Sequence, residues 1–477
     1  MAEKKTQGLT VKKENFSEWY PEVIQKSELA DYSMVSGCII YRPYSYSIWE
    51  KVKSVLNSEF KKLNVKNAYF PLLIPESLFN KEKEHVEGFN PEVAWVTKGG
   101  NSELDEPLAI RPTSETIIYD SYSKWIHSWR DLPLKLNQWC NVVRWEFKHP
   151  RPFLRGREFL WQEGHTVFAN KEEAEKECTD ILDIYYKFVK EYMALEGTKS
   201  LKTDKEKFAG AVYSKSLEYM MPDGKMIQGP DAHFDGKKFA KAYNIKFLDK
   251  NSETKYVYQN TWGFSTRMLG VMFAMHGDDK GLVIPPKIAP TQIVIIPIYK
   301  EENKKEVIKH AKEISKQLNK FRIHLDDRDE YTPGWKFNEW ELKGIPLRIE
   351  IGPRDIKEKA VVVVRRDTGK KEKIKIKDLK EKIPTLLENI QETLYKKSKK
   401  FLDEHTKKAK DYEELKKLVK EGRVLVKWCG CVECENKVKD ETGAKTTGIP
   451  LNNIDAKGEC AICGKPAKYN VYFAKSY

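Results

Sequence analysis

The stretch "GLVIPPKIAPTQ" (281–292) constrains this chain most, because neither a helix nor a sheet interior can run through it. Pro285, Pro286 and Pro290 remove three backbone donors and fix three φ angles within six residues. The hydrophobic pattern differs on either side. Residues 100–290 alternate short apolar strands with loops rich in charge and glycine. There "NVVRWEF" and "REFLWQEGHTVF" predict two strands joined by a basic loop, as in an antiparallel sheet, and no glycine-rich loop of the P-loop type occurs. Beyond the prolines, "QIVIIPIY" predicts a buried strand. A helix is expected over 303–320 with Val307, Ala311, Ile314 and Leu318 on one face, followed by strands at "FRIHL", "IPLRIEIG" and "KAVVVVRR". A strongly charged helix begins near Ile383. A chain of 477 residues exceeds one core. The expected fold class is therefore α+β multidomain, with units at 1–288, 289–399 and 400–477.

The opening "MAEKKTQGLTVKKENFSEW" has no apolar run of signal-peptide length, and "IAPTQIVIIPIY" is far shorter than the roughly 20 residues of a membrane helix. A cytoplasmic protein with no membrane partner is expected. Net charge is +14, and residues 369–423 carry 18 basic against 11 acidic side chains. Such a balance suits a polyanionic partner, although solvated basic faces also produce it.

Five of eight cysteines fall in "WCGCVECE" and "GECAICGKP". Two thiolate pairs on separate turns supply the tetrahedron that zinc requires, and all-cysteine ligation marks a structural site. Spacing leaves Cys429 and Cys431 as alternative partners of Cys434, with Cys460 and Cys463 forming the second pair.

In "RWEFKHPRPFLRGREF" (144–159) arginine replaces the lysine that is commoner elsewhere. The planar guanidinium binds phosphate or carboxylate through two parallel hydrogen bonds and keeps its charge when partly buried. Arg144 and Glu146, two apart on a predicted strand, are expected to share a face, with Arg155 at the start of the return strand. A surface ion-pair network is the bland alternative. "RPTSET" is expected to present Thr113 and Glu115 on one face, "FLWQEGH" adds Trp161, Glu163 and His165, and "TWGFSTRMLG" ends a strand at Arg267.

With these stretches, and with "EKFAGA", "HGDDKGLVIPP" and "EWELKGIPLRIEIGPRD" in order, the chain resembles the class II aminoacyl-tRNA synthetases, specifically the prolyl-tRNA synthetases of archaeal and eukaryotic-like type. The resemblance spans nearly the whole chain. It implies an antiparallel-sheet catalytic domain, an α/β anticodon-binding domain and a small zinc-binding α/β C-terminal domain. It also implies a homodimer whose interface includes Pro71 of motif 1, and activation of L-proline by ATP with Mg²⁺ before transfer to the 3′ end of tRNA(Pro).

By the same resemblance, Arg144, Arg155 and Arg267 are the catalytic residues. Arg144 bridges carboxylate and α-phosphate, and Arg155 and Arg267 hold the γ-phosphate. Glu146 and Gln228 complete the ATP site. Thr113 and Glu115 take the proline amine, while Arg144, Trp161, His165, Phe208 and His233 finish the proline site. Glu341, Arg348 and Arg354 align with readers of the anticodon guanines. Cys429, Cys434, Cys460 and Cys463 are the implied structural Zn²⁺ ligands. Fewer than 100 residues separate motifs 2 and 3, too few for the large editing insertion of bacterial-type relatives. One departure stands out: Pro230-Asp231-Ala232 precedes His233 where a Gly-Thr-Ser-like run is expected. A catalytically inactive paralogue that binds RNA or regulates a partner is the alternative, though such proteins usually lose a motif arginine.

Overall fold

A computed structural model describes residues 8–85, 92–146 and 149–477. Its largest sheet has eleven strands. The middle of that sheet runs Thr198–Leu201, Tyr213–Met220, Met226–Gly236, Tyr258–Ser265, Glu158–Phe168 and Leu134–Val143, each antiparallel to the next. Lys66–Asn67 adds a short parallel edge after the helix Pro43–Lys62.

Helices cover one face of this sheet. Lys171–Tyr192 buries Ala174, Cys178, Ile181, Leu182, Tyr185 and Phe188, the spacing of one helical stripe. Its first turn is capped by the Asn170 side chain, which accepts from Glu173 N at 3.0 Å. Phe60 of the helix Pro43–Lys62 packs on Trp262 at a centroid distance of 4.9 Å, and Phe188 meets Phe264 edge-on at 5.6 Å. Strand residues with the parity of Trp262 and Phe264 therefore face the helices, and their neighbours Thr261 and Gly263 line the opposite face.

After the proline-rich stretch, a five-stranded sheet orders Ile323–Leu325, Ile293–Pro297, Leu347–Ile351, Ala360–Arg365 and Lys371–Lys375. The first three are parallel and the last two antiparallel, in agreement with the expected α/β arrangement. The long helix Leu379–Glu404 then leads to the last part of the chain. There Lys445–Pro450 pairs with Thr198–Leu201, so the C-terminal strands extend the eleven-stranded sheet. At the terminus, Tyr477 N donates to Met226 O at 3.0 Å.

Candidate active site

The strand Glu158–Phe168 builds the floor of the site. Gln162 faces the helices, where its Oε1 accepts from the Tyr185 hydroxyl at 2.7 Å, so Trp161, Glu163 and His165 face the cleft. Gly164 lies opposite Trp262, and a β-carbon there would come within 2.1 Å of the indole. Only glycine lets these two central strands carry a tryptophan at that point.

Two cavities open on this face. One, of about 250 Å³, is lined by Thr113, Glu115, Arg144, Trp161, Glu163, His165, Lys202, Phe208 and His233, among others. The other, of about 140 Å³, is lined by Arg144, Leu154, Arg155, Phe159, Ser265 and Arg267, among others. Arg144, Trp161, Gln228, Asp231 and Gly263 belong to both. The cavities are two chambers of one cleft, and Arg144 stands where they meet.

The larger chamber is held together by Glu163, which is 3% exposed. Its carboxylate accepts from Ser114 N at 3.2 Å, from the Ser114 hydroxyl, and from Gln138 Nε2 at 3.0 Å, and lies 2.9 Å from His165 Nε2. Burial alone disfavours both charges, but the contact between them prevails: Glu163 is lowered and His165 raised from their ordinary values. The Ser114 contacts fix the loop that carries Thr113 and Glu115, whose side chains hydrogen-bond each other. Glu115 opens the helix Glu115–Trp125, so loop and helix start, not a shared strand face, bring this pair together. On the far wall His233 stacks on Phe208 at 4.8 Å.

The smaller chamber is cationic. Arg144 Nε donates to Pro112 O at 2.9 Å, and its guanidinium lies 5.4 Å from the centre of the Trp161 ring. Arg267 donates to Leu154 O at 3.3 Å and to Gln228 O at 3.1 Å. Burial first, and then the charges of Arg144 and Arg155, lower the pKa of Arg267. Carbonyl contacts aim these guanidinium groups without neutralising them, which prepares the chamber for a polyanion.

One expectation fails in detail. Strand pairing ends at Val143 opposite Glu158, so Arg144 and Glu146 lie beyond the strand and do not share its face. Glu146 is exposed and lines neither chamber. Arg155 likewise precedes the return strand, in a turn where Arg151 N donates to Arg155 O at 2.7 Å. All seven expected proline-site residues line the larger chamber, and Gln228 lines both. Sequence reading missed Ser114, Gln138 and Lys202. The stretch "RPTSET" stands out for Thr113 and Glu115, whereas the partners of Ser114, Glu163 and Gln138, are remote in sequence.

Outside the cleft, Glu341 and Arg348 share a small hollow with Trp340, Arg365 and Arg366, whereas Arg354, on the helix Pro353–Lys357, is not part of its lining. Arg348 donates to Glu350 at 2.9 Å and lies 4.2 Å from the centre of the Phe337 ring. Pro71 is exposed, between Tyr69 at 70% and Leu73 at 39% exposure. Ligand atoms of Cys429, Cys434, Cys460 and Cys463 lie within 4.8 Å of one another. Sulfur separations of 3.7 Å for Cys429–Cys434 and Cys429–Cys463 match the edge of about 3.8 Å in a tetrahedron with metal–sulfur bonds of about 2.3 Å. The four thiols fit zinc. Cys431 is 3.1 Å from Cys429 and 3.3 Å from Cys434, closer than such an edge, so it lies against the tetrahedron as a fifth thiol.

Comparison with known proteins agrees with this geometry. Residues 95–276 match the tRNA synthetase class II core domain (G, H, P, S and T), residues 292–386 an anticodon binding domain, and residues 412–477 the prolyl-tRNA synthetase C-terminal domain. A protein of Natranaerobius thermophilus named "Proline--tRNA ligase" is 49% identical, covering 98% of each chain. One of Alkaliphilus oremlandii with the same name is 50% identical over 97% of this chain and 96% of its own. "Proline--tRNA ligase 2" of Bacillus cereus is 48% identical over the full length of both. From its full-length likeness to these proteins, and from the cleft built on its central sheet, the chain belongs to the prolyl-tRNA synthetase family of class II.

Proposed function

We propose that this chain activates L-proline with ATP and transfers the prolyl group to the 3′ end of tRNA(Pro). The joined chambers carry this reading: a preassembled pocket with acids at one end meets an arginine-lined pocket at Arg144. Thr113 and Glu115 accept the two N–H bonds of the secondary ammonium, and Trp161, His165, Phe208 and His233 enclose the ring. The proline carboxylate then points toward Arg144.

MgATP enters the second chamber with its phosphates toward Arg155 and Arg267. The carboxylate oxygen attacks the α-phosphorus in line, a new P–O bond forms, and the bond to the β-phosphate oxygen breaks. Pyrophosphate leaves, and no proton moves, because the carboxylate is already ionised. Catalysis rests on alignment and on stabilising the charge that develops at the α-phosphate. In the second step a ribose hydroxyl of the tRNA end attacks the prolyl carbonyl, the acyl–phosphate bond breaks, and AMP departs with the hydroxyl proton on its phosphate.

In this reading residues 1–288 form the catalytic unit and 289–399 read the anticodon through Glu341, Arg348 and Arg354. Residues 400–477 hold structural Zn²⁺ on Cys429, Cys434, Cys460 and Cys463. The enzyme acts in the cytoplasm as a homodimer through the surface around Pro71, where Tyr69 and Leu73 offer apolar area to a second copy. The inactive-paralogue reading is disfavoured by the three arginines converging on one chamber. Pyrophosphate exchange with each amino acid in turn is the test. Proline is expected to support it most strongly, and a purified protein with no proline-dependent exchange would reject the proposal.

A further inference from the structure

A chain of polar contacts on the strand Met226–Gly236 crosses from one chamber to the other. In a regular strand Gln228 and Asp231, three residues apart, would point to opposite faces. Here the pairing with Tyr213–Met220 slips by one: Ser216 faces Asp231 but Glu218 faces Gln228, so Leu217 opposes both Gly229 and Pro230. This bulge changes the parity of the strand, at a position where proline is tolerated. Gln228, Asp231 and His233 consequently all face the cleft.

Gln228 Nε2 donates to one Asp231 oxygen at 2.7 Å, and the other oxygen is 3.4 Å from His233 Nε2. His233 Nδ1 lies 2.8 Å from the Ser214 hydroxyl, and the backbone carbonyl of Gln228 accepts from Arg267 at 3.1 Å. Through the backbone and then the side chain of Gln228, an arc thus joins an arginine of the smaller chamber to a histidine of the larger one, with Asp231 at its centre. This aspartate also stands where the resemblance leads one to expect a Gly-Thr-Ser-like run.

Resting on the assignment of proline to one chamber and ATP to the other, we propose that Asp231 is a positioning residue that couples the two substrates. Its carboxylate sets Gln228 and His233 together, so that filling one chamber orders the side chain that the other ligand meets. The ordering entropy is then spent on the first ligand and spared for the second, which is positive cooperativity without a change of fold.

The test is calorimetric titration of the full-length protein with proline, alone and with α,β-methylene-ATP, and the reverse titration. The unmodified chain is expected to bind each ligand at least about 5-fold more tightly in the presence of the other, by the same factor in both directions. Asp231→Ala should bring that factor toward unity. Asp231→Asn, whose amide can accept from Gln228 and donate to a neutral His233, should retain it. Gln228→Ala cuts the arc at its next link and should match Asp231→Ala, which covers the case where the alanine variant at 231 does not fold. The proposal is overturned if Asp231→Ala keeps the full factor while both affinities weaken equally, if Asp231→Asn loses as much as Asp231→Ala, or if the unmodified chain shows no coupling. If the unmodified chain binds no proline under either condition, the assignment of the chambers fails and the coupling fails with it.

Discussion

The two chambers of the cleft satisfy their charges in opposite ways. In the larger chamber, proposed above to take proline, the central acid, Glu163, is already surrounded by Ser114, Gln138 and His165. In the nucleotide chamber Arg144 and Arg267 donate to carbonyls, and among the described residues neither forms an ion pair with a carboxylate. One pocket is a finished polar core, suited on the proposed assignment to a small zwitterion. The other is an array of cations whose counter-charge is supplied by the ligand. A site that must recognise a small ring gains from rigidity, whereas a site that must grip phosphates gains from unneutralised charge.

This contrast can be broken from either side. The largest expected effect is on stability. Glu163→Ala strands a buried His165 and leaves the Ser114 and Gln138 donors without their acceptor, so chemical denaturation should show a loss of about 3–5 kcal/mol. A loss typical of a surface change would mean that the proline chamber is not prebuilt. Next, Arg144→Ala should leave the melting temperature nearly unchanged yet lower proline-dependent exchange by about 10²–10³-fold, the usual effect of removing one donor to developing charge. Equal damage to stability and activity would erase the distinction between the chambers.

The smallest effect is in pH dependence. The Glu163 contribution is complete above its ordinary value of 4.5 and is lost as pH falls through its lowered folded value. The His165 contribution is complete below its ordinary value of 6.5 and is lost as pH rises through its raised folded value. The pair therefore stabilises the fold most between pH 4.5 and 6.5. His165→Gln should flatten that part of the stability profile, measured as denaturation midpoint against pH, and an unchanged profile would show that the pair does not titrate in the folded protein.

Local patterns in the sequence carried much of this architecture. The proline-rich break at 281–292, the antiparallel strands before it and the existence of the strands after it were legible, because alternation and chain breakers act over a few residues. The arginines were legible as a group, since their side chains need only reach a common cavity. The position of Glu146 was not: where pairing stops, at Val143 opposite Glu158, depends on the partner strand and not on residues 144–146. The Glu163 hub was hidden for a similar reason, because Gln138 sits in "LKLNQWCNVV", a strand with no clean alternation of burial. The Gln228–Asp231 contact was hidden because one inserted residue reverses the parity on which strand reading depends.

The union of the C-terminal strands with the catalytic sheet has a practical consequence. Lys445–Pro450 covers the free edge of Thr198–Leu201, and the next residue, Lys202, lines the proline chamber and pairs with Glu218 at 2.6 Å. A fragment ending near residue 400 would therefore expose the backbone donors and acceptors of that edge, a template for sticking to other chains. It would also release the rail that leads into the pocket. The thiol cluster and the proline chamber stand at different points of one continuous hydrogen-bonded surface, so the tail is a retaining wall of the active site and not a detachable appendage.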